Sequence, residues 1–261
     1  MPEYPAPVAL LSDFRLQDWY VGVMKGVLQQ VAPGVPMIDI THEIPPQDVT
    51  AGAFVLEQAY PEFPDGTVFL AVVDPGVGTA RCPVVIETEN RFWVGPDNGL
   101  FGFLNRSPSL PPTIHQLTPF WSDQPLRSNT FHGRDLFAPA AARLAAGTPP
   151  AAFGPPRKTL QSLTLSEHEK DRIVYVDHFG NAISNICRDQ LPPDLSRIEV
   201  GLQWIPFVQT YAEVEPGKPL ALVGSTGFLE IAVNQGNAAK ELNLRTGEPI
   251  RLGPSESKPS P

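Results

Sequence analysis

Apolar residues in the first half of the chain come in short, nearly solid runs. Between these lie longer stretches in which apolar residues recur every three or four positions. PVALLS (7–12), VPMIDI (35–40) and TVFLAVV (67–73) are the short runs. The uniform apolarity of PVALLS and TVFLAVV predicts strands covered on both faces, as in a parallel sheet, and VPMIDI reads as a second strand between them. WYVGVMKGVLQQVAPG (19–34) has helical spacing closed by Gly34, and Asp48 to Tyr60 predicts a second helix with Asp48 as its cap. PVVIETENRFWVG reads as a hairpin turning at Glu89-Asn90. DLFAPAAARLAAG reads as a helix with Asp135 at its N-cap and Gly147 as its stop. The alternation of strand and helix implies a doubly wound α/β domain.

The pattern then changes. GTPPAAFGPPRK (147–158) is a Pro/Gly-rich connection, and from about residue 171 short strands alternate with turn signals: RIVYVDHFGN, RIEVGL, PLALVGS, FLEIAVNQGN and EPIRLG. That is the pattern of a small all-β domain. The expected division is an α/β domain over 1–158, with its linker starting near 147, and a β domain over 171–252. A disordered tail, 253–261, ends in SESKPSP.

Composition narrows the partners. At 261 residues the chain is near the size where one core divides into two. A net charge of −9 argues against nucleic-acid backbones and anionic membranes. Cys82 and Cys187 stand alone, outside any metal-ligand spacing, so zinc and iron–sulfur sites are not expected and a reducing cytoplasm is the simplest home. MPEYPAP has neither the basic start nor the apolar stretch of a signal peptide, and no run approaches the ~20 apolar residues of a membrane helix.

In open α/β sheets ligands bind outside the carboxyl ends of the strands. Asp13, Asp39 and Asp74 fall there, Asp39 within its strand and the other two just past theirs. Asp74 opens AVVDPGVGTAR as an Asp-Pro-Gly turn, and turn chemistry alone would explain it. Arg81 follows seven positions later. The GVGT loop lacks the third glycine of a dinucleotide fingerprint and the Gly-Lys-Ser/Thr of a P-loop. In TFHGRDLF, His132 and Arg134 precede a helix start, where a solvated capping histidine is the plain alternative. An Asp, an Arg and a His gathered at one edge would suit water activation. Asp177 and Asn181 flank a glycine turn and fit Asx-turn chemistry, and Glu230 lies in an apolar strand where alternation points a carboxylate at solvent. On periodicity, these last two clusters read as structural.

Taken together, LLSDF with Asp18, YVGVMKG, ITHEIPPQDV, VVDPGVGTAR, PDNGL, TFHGRDLFAPAAA, DHFGNAISN, TYAEV and STGFLEIAVNQGNAA resemble the S-adenosylmethionine hydroxide adenosyltransferases, hydrolytic relatives of fluorinase and chlorinase. The segments run in order from about residue 8 to 240. The resemblance implies a Rossmann-like N-terminal domain, a small β-barrel-like C-terminal domain and a homotrimer with sites at subunit interfaces. It implies displacement at C5′ of S-adenosylmethionine by water, giving adenosine and methionine, with S-adenosylmethionine as substrate and no cofactor or metal. Asp74, Arg81 and His132 match the set that orients and activates the water. Asp13 matches the ribose position, with Asp18 in the same segment a further substrate-binding position. Asp177 and Ser225 match methionine-binding positions, Asn181 an adenine contact and Tyr211 an aromatic stacked on adenine. Glu230 is a further candidate for the methionine ammonium. Arg15 stands where the family usually has glycine, and the segment around Trp204 matches less well.

The implied chemistry suits these residues. A sulfonium leaves as a neutral thioether and needs no general acid, so the site must align and deprotonate a water. Free water, with a pKa of ~15.7, is a poor nucleophile, and without a metal the base must come from protein. Asp74 and His132 are both candidates. A halogenase is the nearest alternative, but its fluorinase-type site has tyrosine where Asp74 stands and serine where Gly133 stands. A non-catalytic binding protein is the other, and it would need no water-activating set.

Overall fold

Every residue of β1 (Val8–Ser12) is buried, as a strand covered on both faces requires. The computed structural model describes residues 6–89, 91–106, 111–118, 126–163, 171–201 and 203–254. The chain divides into two units, Met1–Leu163 and Thr164–Pro261.

In the first unit β1 leads through α1 (Tyr20–Val31) to β2 (Met37–Thr41), then through α2 (Val49–Ala59) to β3 (Val68–Val72). Asp48 caps α2, accepting the Ala51 N–H at 2.9 Å. β2 and β3 lie on opposite sides of β1, both parallel to it. The strand order therefore reverses at β1, and the carboxyl ends of β1 and β3 lie at the switch point where open α/β sheets take ligands. β4 (Pro83–Thr88) and β5 (Arg91–Pro96) form the expected hairpin, though Asn90 of its turn lies outside the described residues. β5 adds parallel to β3, whereas β4, β6 (Thr113–Gln116) and β7 (Pro156–Arg157) continue antiparallel. Among the described residues this gives one seven-stranded mixed sheet in the order β2-β1-β3-β5-β4-β6-β7.

Alternation sorts the strand residues onto two buried faces. Val8, Leu10, Val68, Leu70 and Val72 pack with Met24 and Leu28 of α1 and with Ala138, Ala141 and Ala142 of α3 (Ala138–Ala145). On the other face Phe69 stacks on Trp93 with ring centres 4.3 Å apart, and Tyr60 and Phe103 pack edge-on against the same indole. Gly52 brings α2 close to this face: a Cβ added there would lie 3.0 Å from Leu100 and 3.1 Å from Val73.

One helix start differs from expectation. Asp135 is not an N-cap, because a wide π-helical turn, Gly133–Phe137, precedes α3. Its carboxylate is engaged instead by the Arg134 guanidinium at 2.6 Å and by the Ser128 N–H at 2.9 Å. Pro139 is the second residue of α3, directly after the π-helical turn.

The second unit holds a four-stranded antiparallel sheet in the order β12-β13-β9-β8 and a three-stranded one in the order β11-β10-β14. The strands are β8 (Ile173–Val176), β9 (Ala182–Cys187), β10 (Leu195–Val200), β11 (Gln203–Pro206), β12 (Pro219–Val223), β13 (Phe228–Val233) and β14 (Ile250–Pro254). Isolated bridges, Arg172 with Pro249 and Phe207 with Ala221, link the edges of the two sheets. The unit is not purely β, since Asn237 caps a short helix, α4 (Ala238–Glu241). Residues 255–261, most of the expected tail, lie outside the described residues. No helix among the described residues is long and apolar enough to cross a membrane.

The aromatic stack gives a test of the first core. Trp93→Ala removes a fully buried ring, so it should lower unfolding free energy by about 3–5 kcal/mol in a denaturant titration. A loss under about 1 kcal/mol would mean that the stack does not anchor this face.

Candidate active site

Ser12 pairs with Val72, so the chain leaves β1 and β3 side by side and delivers Asp13 and Asp74 to one edge. Asp74 begins a real turn, with the Val77 N–H bonded to its carbonyl at 3.2 Å. The loop then folds back. The Thr79 hydroxyl bonds the Gly76 carbonyl at 2.7 Å and accepts the Arg81 N–H at 3.3 Å. Gly78 has φ +77°, and a Cβ there would meet the Asn129 carbonyl oxygen at 2.9 Å, so glycine is required at that position. Asn98, from the loop after β5, donates to the Val73 carbonyl at 2.8 Å and fixes the strand end just before Asp74.

The turn thus aims Arg81 at Asp74. Arg81 Nε lies 2.8 Å from Oδ1 and 3.0 Å from Oδ2, and Nη2 also bonds Oδ2. Nη2 reaches His132 Nδ1 as well, at 2.8 Å. One guanidinium therefore joins a strand-end carboxylate to an imidazole 51 residues further on. The Arg81 and Asp74 side chains are only 9% and 5% exposed. The Phe137 ring backs the guanidinium, its centre 5.2 Å from Arg81 Cζ.

Burial holds the His132 imidazole below its ordinary pKa, and the adjacent Arg81 charge pushes the same way against Asp74 and Asp135. Its lone pair at Nδ1 faces a donor that cannot be deprotonated, so the neutral ring carries its proton on Nε2. Asp13, beside this group, accepts the Gln47 N–H at 2.8 Å. Burial raises its pKa, the Gln47 and Asp13 N–H groups oppose that, and Asp74 adds to it. Asp18 is exposed, on the segment leading into α1.

A second polar cluster lies in the second unit. The Asx turn read from the sequence is present: Asp177 accepts the Asn181 N–H at 2.8 Å and its side-chain amide at 3.0 Å. Glu230 departs from expectation. It is buried, 7% exposed, because β13 lies between β12 and β9 and is covered on both faces. Tyr211 donates its hydroxyl to Glu230 Oε1 at 2.5 Å while the residue itself remains exposed. Burial raises the pKa of both groups: the Glu230 hydrogen bond and charge push Tyr211 further up, while the Tyr211 hydroxyl opposes and Asp177 reinforces the rise at Glu230. Ser225 is exposed on the turn joining β12 to β13.

Sequence reasoning missed Asn98, Gln47 and Phe137 around the first cluster. Asn98 stands in PDNGL, where an Asn before glycine already signals a loop anchor. Gln47 acts through its backbone N–H, for which side-chain identity gives no signal.

Fold and site together define a mixed α/β protein that closes a carboxylate–guanidinium–imidazole triad over the carboxyl ends of parallel strands. The chain belongs to the SAM hydroxide adenosyltransferase family: the N-terminal domain of that family matches residues 8–154 and its C-terminal domain residues 171–251. It is 44% identical to the (R)-S-adenosyl-L-methionine hydrolase of Thermus thermophilus, over 94% of this chain and 99% of that one. The (R)-S-adenosyl-L-methionine hydrolase of Salinispora tropica is 40% identical, over 95% and 98%. A crystal structure of an uncharacterized conserved protein from Thermotoga maritima superposes with a TM-score of 0.84 at 35% identity, covering 94% of this chain and all of that one.

The state of His132 is open to direct measurement. Its ring resonances should titrate with a midpoint below 6.5, and Arg81→Met should move that midpoint upward. Because the folded-state pKa is depressed, the matching stability is present above pH ~6.5 and is lost as pH falls through the folded value. A midpoint at or above 6.5 would refute the neutral, Arg81-bonded ring.

Proposed function

We propose that the protein hydrolyses S-adenosyl-L-methionine at C5′, releasing adenosine and L-methionine. The observation that carries this reading is the Arg81 guanidinium bound at once to Asp74 and His132 beside the strand ends. The catalytic residues are then Asp74, Arg81 and His132. Asp13 holds the ribose, with Asp18 on the adjoining segment. Asp177, Ser225 and Glu230 serve the methionine end, and Asn181 and Tyr211 the adenine.

Water attacks C5′ as the C5′–S bond breaks, and the bonding pair leaves with sulfur as a neutral thioether. His132 Nε2–H donates to the water oxygen and orients it. Asp74 takes the proton, since Arg81 already occupies the free lone pair of His132. A carboxylate base is adequate here, because the oxygen becomes strongly acidic as its bond to carbon forms. Arg81 fixes the carboxylate's orientation, and the reaction draws on no metal or cofactor. Positioning supplies the remainder of the acceleration.

Two features favour water over halide. The Asp74 charge repels an anionic nucleophile. Gly133 is also tightly packed: a Cβ there would lie 2.9 Å from Met24 Sδ and 3.2 Å from Phe131, so a hydroxyl-bearing side chain would have to displace these neighbours. In the finer architecture, the order reversal at β1 supports a Rossmann-like first domain. The two bridges between sheet edges support a barrel-like second one. Membership of the family supports a homotrimer with sites at subunit interfaces, and two free cysteines suit the cytoplasm.

The test is turnover of S-adenosyl-L-methionine in heavy-oxygen water, with and without added chloride or fluoride. Adenosine and methionine should appear in equal amounts, with heavy oxygen at C5′ and no dependence on halide. Halogenated adenosine as the main product would make the protein a halogenase, and tight binding without any turnover would make it a binding protein.

A further inference from the structure

Beneath the Asp13 loop lies a hydrogen-bond chain that the reaction itself does not use. The Ser12 hydroxyl is 2.7 Å from His42 Nδ1, and His42 Nε2 is 3.1 Å from Asp39 Oδ1. Lys25 Nζ closes the outer end on Asp39 Oδ2 at 2.6 Å. Ser, His and Asp in series suggest a nucleophile, but Ser12 is fully buried and no substrate can reach it. What the chain does touch is the Asp13 loop. The Phe14 N–H bonds Ser12 Oγ at 3.3 Å, and the Arg15 N–H bonds the His42 carbonyl at 2.8 Å. Arg15 itself has φ +57°, a conformation that a non-glycine residue holds only when its surroundings impose it.

The donors along this chain can run in only one sense. Burial keeps His42 below its ordinary pKa against the pull of Asp39, so the ring is neutral. Burial tends to raise Asp39, but its bonds from Lys25 and His42 hold it below the usual carboxylate range, so it is ionised and accepts. His42 Nε2–H then donates to Asp39, and Nδ1 accepts from Ser12 O–H. Ser12 Oγ is left with a lone pair for Phe14 N–H. Residues on both sides of Asp13 are thereby fixed from below, while the Gln47 N–H fixes its carboxylate from the side.

The geometry points to His42, acting through Ser12, as the positioning residue that holds Asp13 in register with the two ribose hydroxyls, so that the Ser12–His42–Asp39 chain sets selectivity for the ribose diol. This rests on the ribose role given to Asp13 above. Neither Ser12 nor His42 touches the ligand. Their contribution is confined to that one contact.

Calorimetric titration with adenosine and with 2′,3′-dideoxyadenosine separates this role from general support of the fold. The native protein should prefer adenosine. Ser12→Ala should weaken adenosine by about tenfold, the usual worth of a hydrogen bond to a charged group, and leave dideoxyadenosine within about twofold. Asp39→Ala, on the exposed end of the chain, should shift the preference the same way and decides the matter if Ser12→Ala does not fold. Equal weakening of both nucleosides, or an unchanged preference in the variants, would overturn the inference. An Asp13→Ala protein that still prefers adenosine would instead remove the ribose assignment on which it rests.

Discussion

A single guanidinium organises the first unit's chemistry. Arg81 grips both oxygens of Asp74 along one edge, through Nε and Nη2, and spends a further N–H on His132. A buried carboxylate is tolerable only with such a partner, and removing the arginine would leave a desolvated charge, which typically costs 3–5 kcal/mol. Burial holds the histidine neutral, and the same contact sets its tautomer and reinforces that state. Charge balance, proton position and geometry are therefore one interaction, and none of the three residues has its proposed role without the other two.

The sheet makes that interaction possible. Because β1 and β3 are parallel neighbours in register, their carboxyl ends present two aspartates at one edge. Because the loop after Asp74 turns back over Gly78, pressed against the Asn129 backbone, Arg81 returns to the residue that began the turn. His132, at the start of the π-helical turn, meets the same guanidinium. Gly133, packed against Met24 and Phe131, keeps this approach tight.

Much of this was legible in the residues, for identifiable reasons. Solid apolar runs marked β1 and β3 because both their faces are covered, and Asp48 announced its helix by capping chemistry. Asp74 admitted two readings, turn or site: the turn is present, and it brings Asp74, Arg81 and His132 together. The resemblance to a family, carried by motifs over nearly the whole chain, brought Arg81 and His132 to it. Other features were hidden. Alternation pointed Glu230 at solvent, since a period of two cannot reveal that both faces of β13 are buried. Asp135 resembled a cap, because nothing local distinguishes an α-helical start from a π-helical one. His42 attracted no attention, for its partners Ser12 and Asp39 come together only when β1 and β2 pair.

The central claim is that Asp74 accepts a proton and does not merely bind. Asp74→Asn keeps the shape and removes the charge, so turnover at saturating S-adenosyl-L-methionine should fall by ~10²–10⁴-fold while equilibrium affinity for adenosine changes by less than about threefold. Turnover within a few-fold of native, with affinity lost instead, would contradict the account and reduce the triad to a binding site.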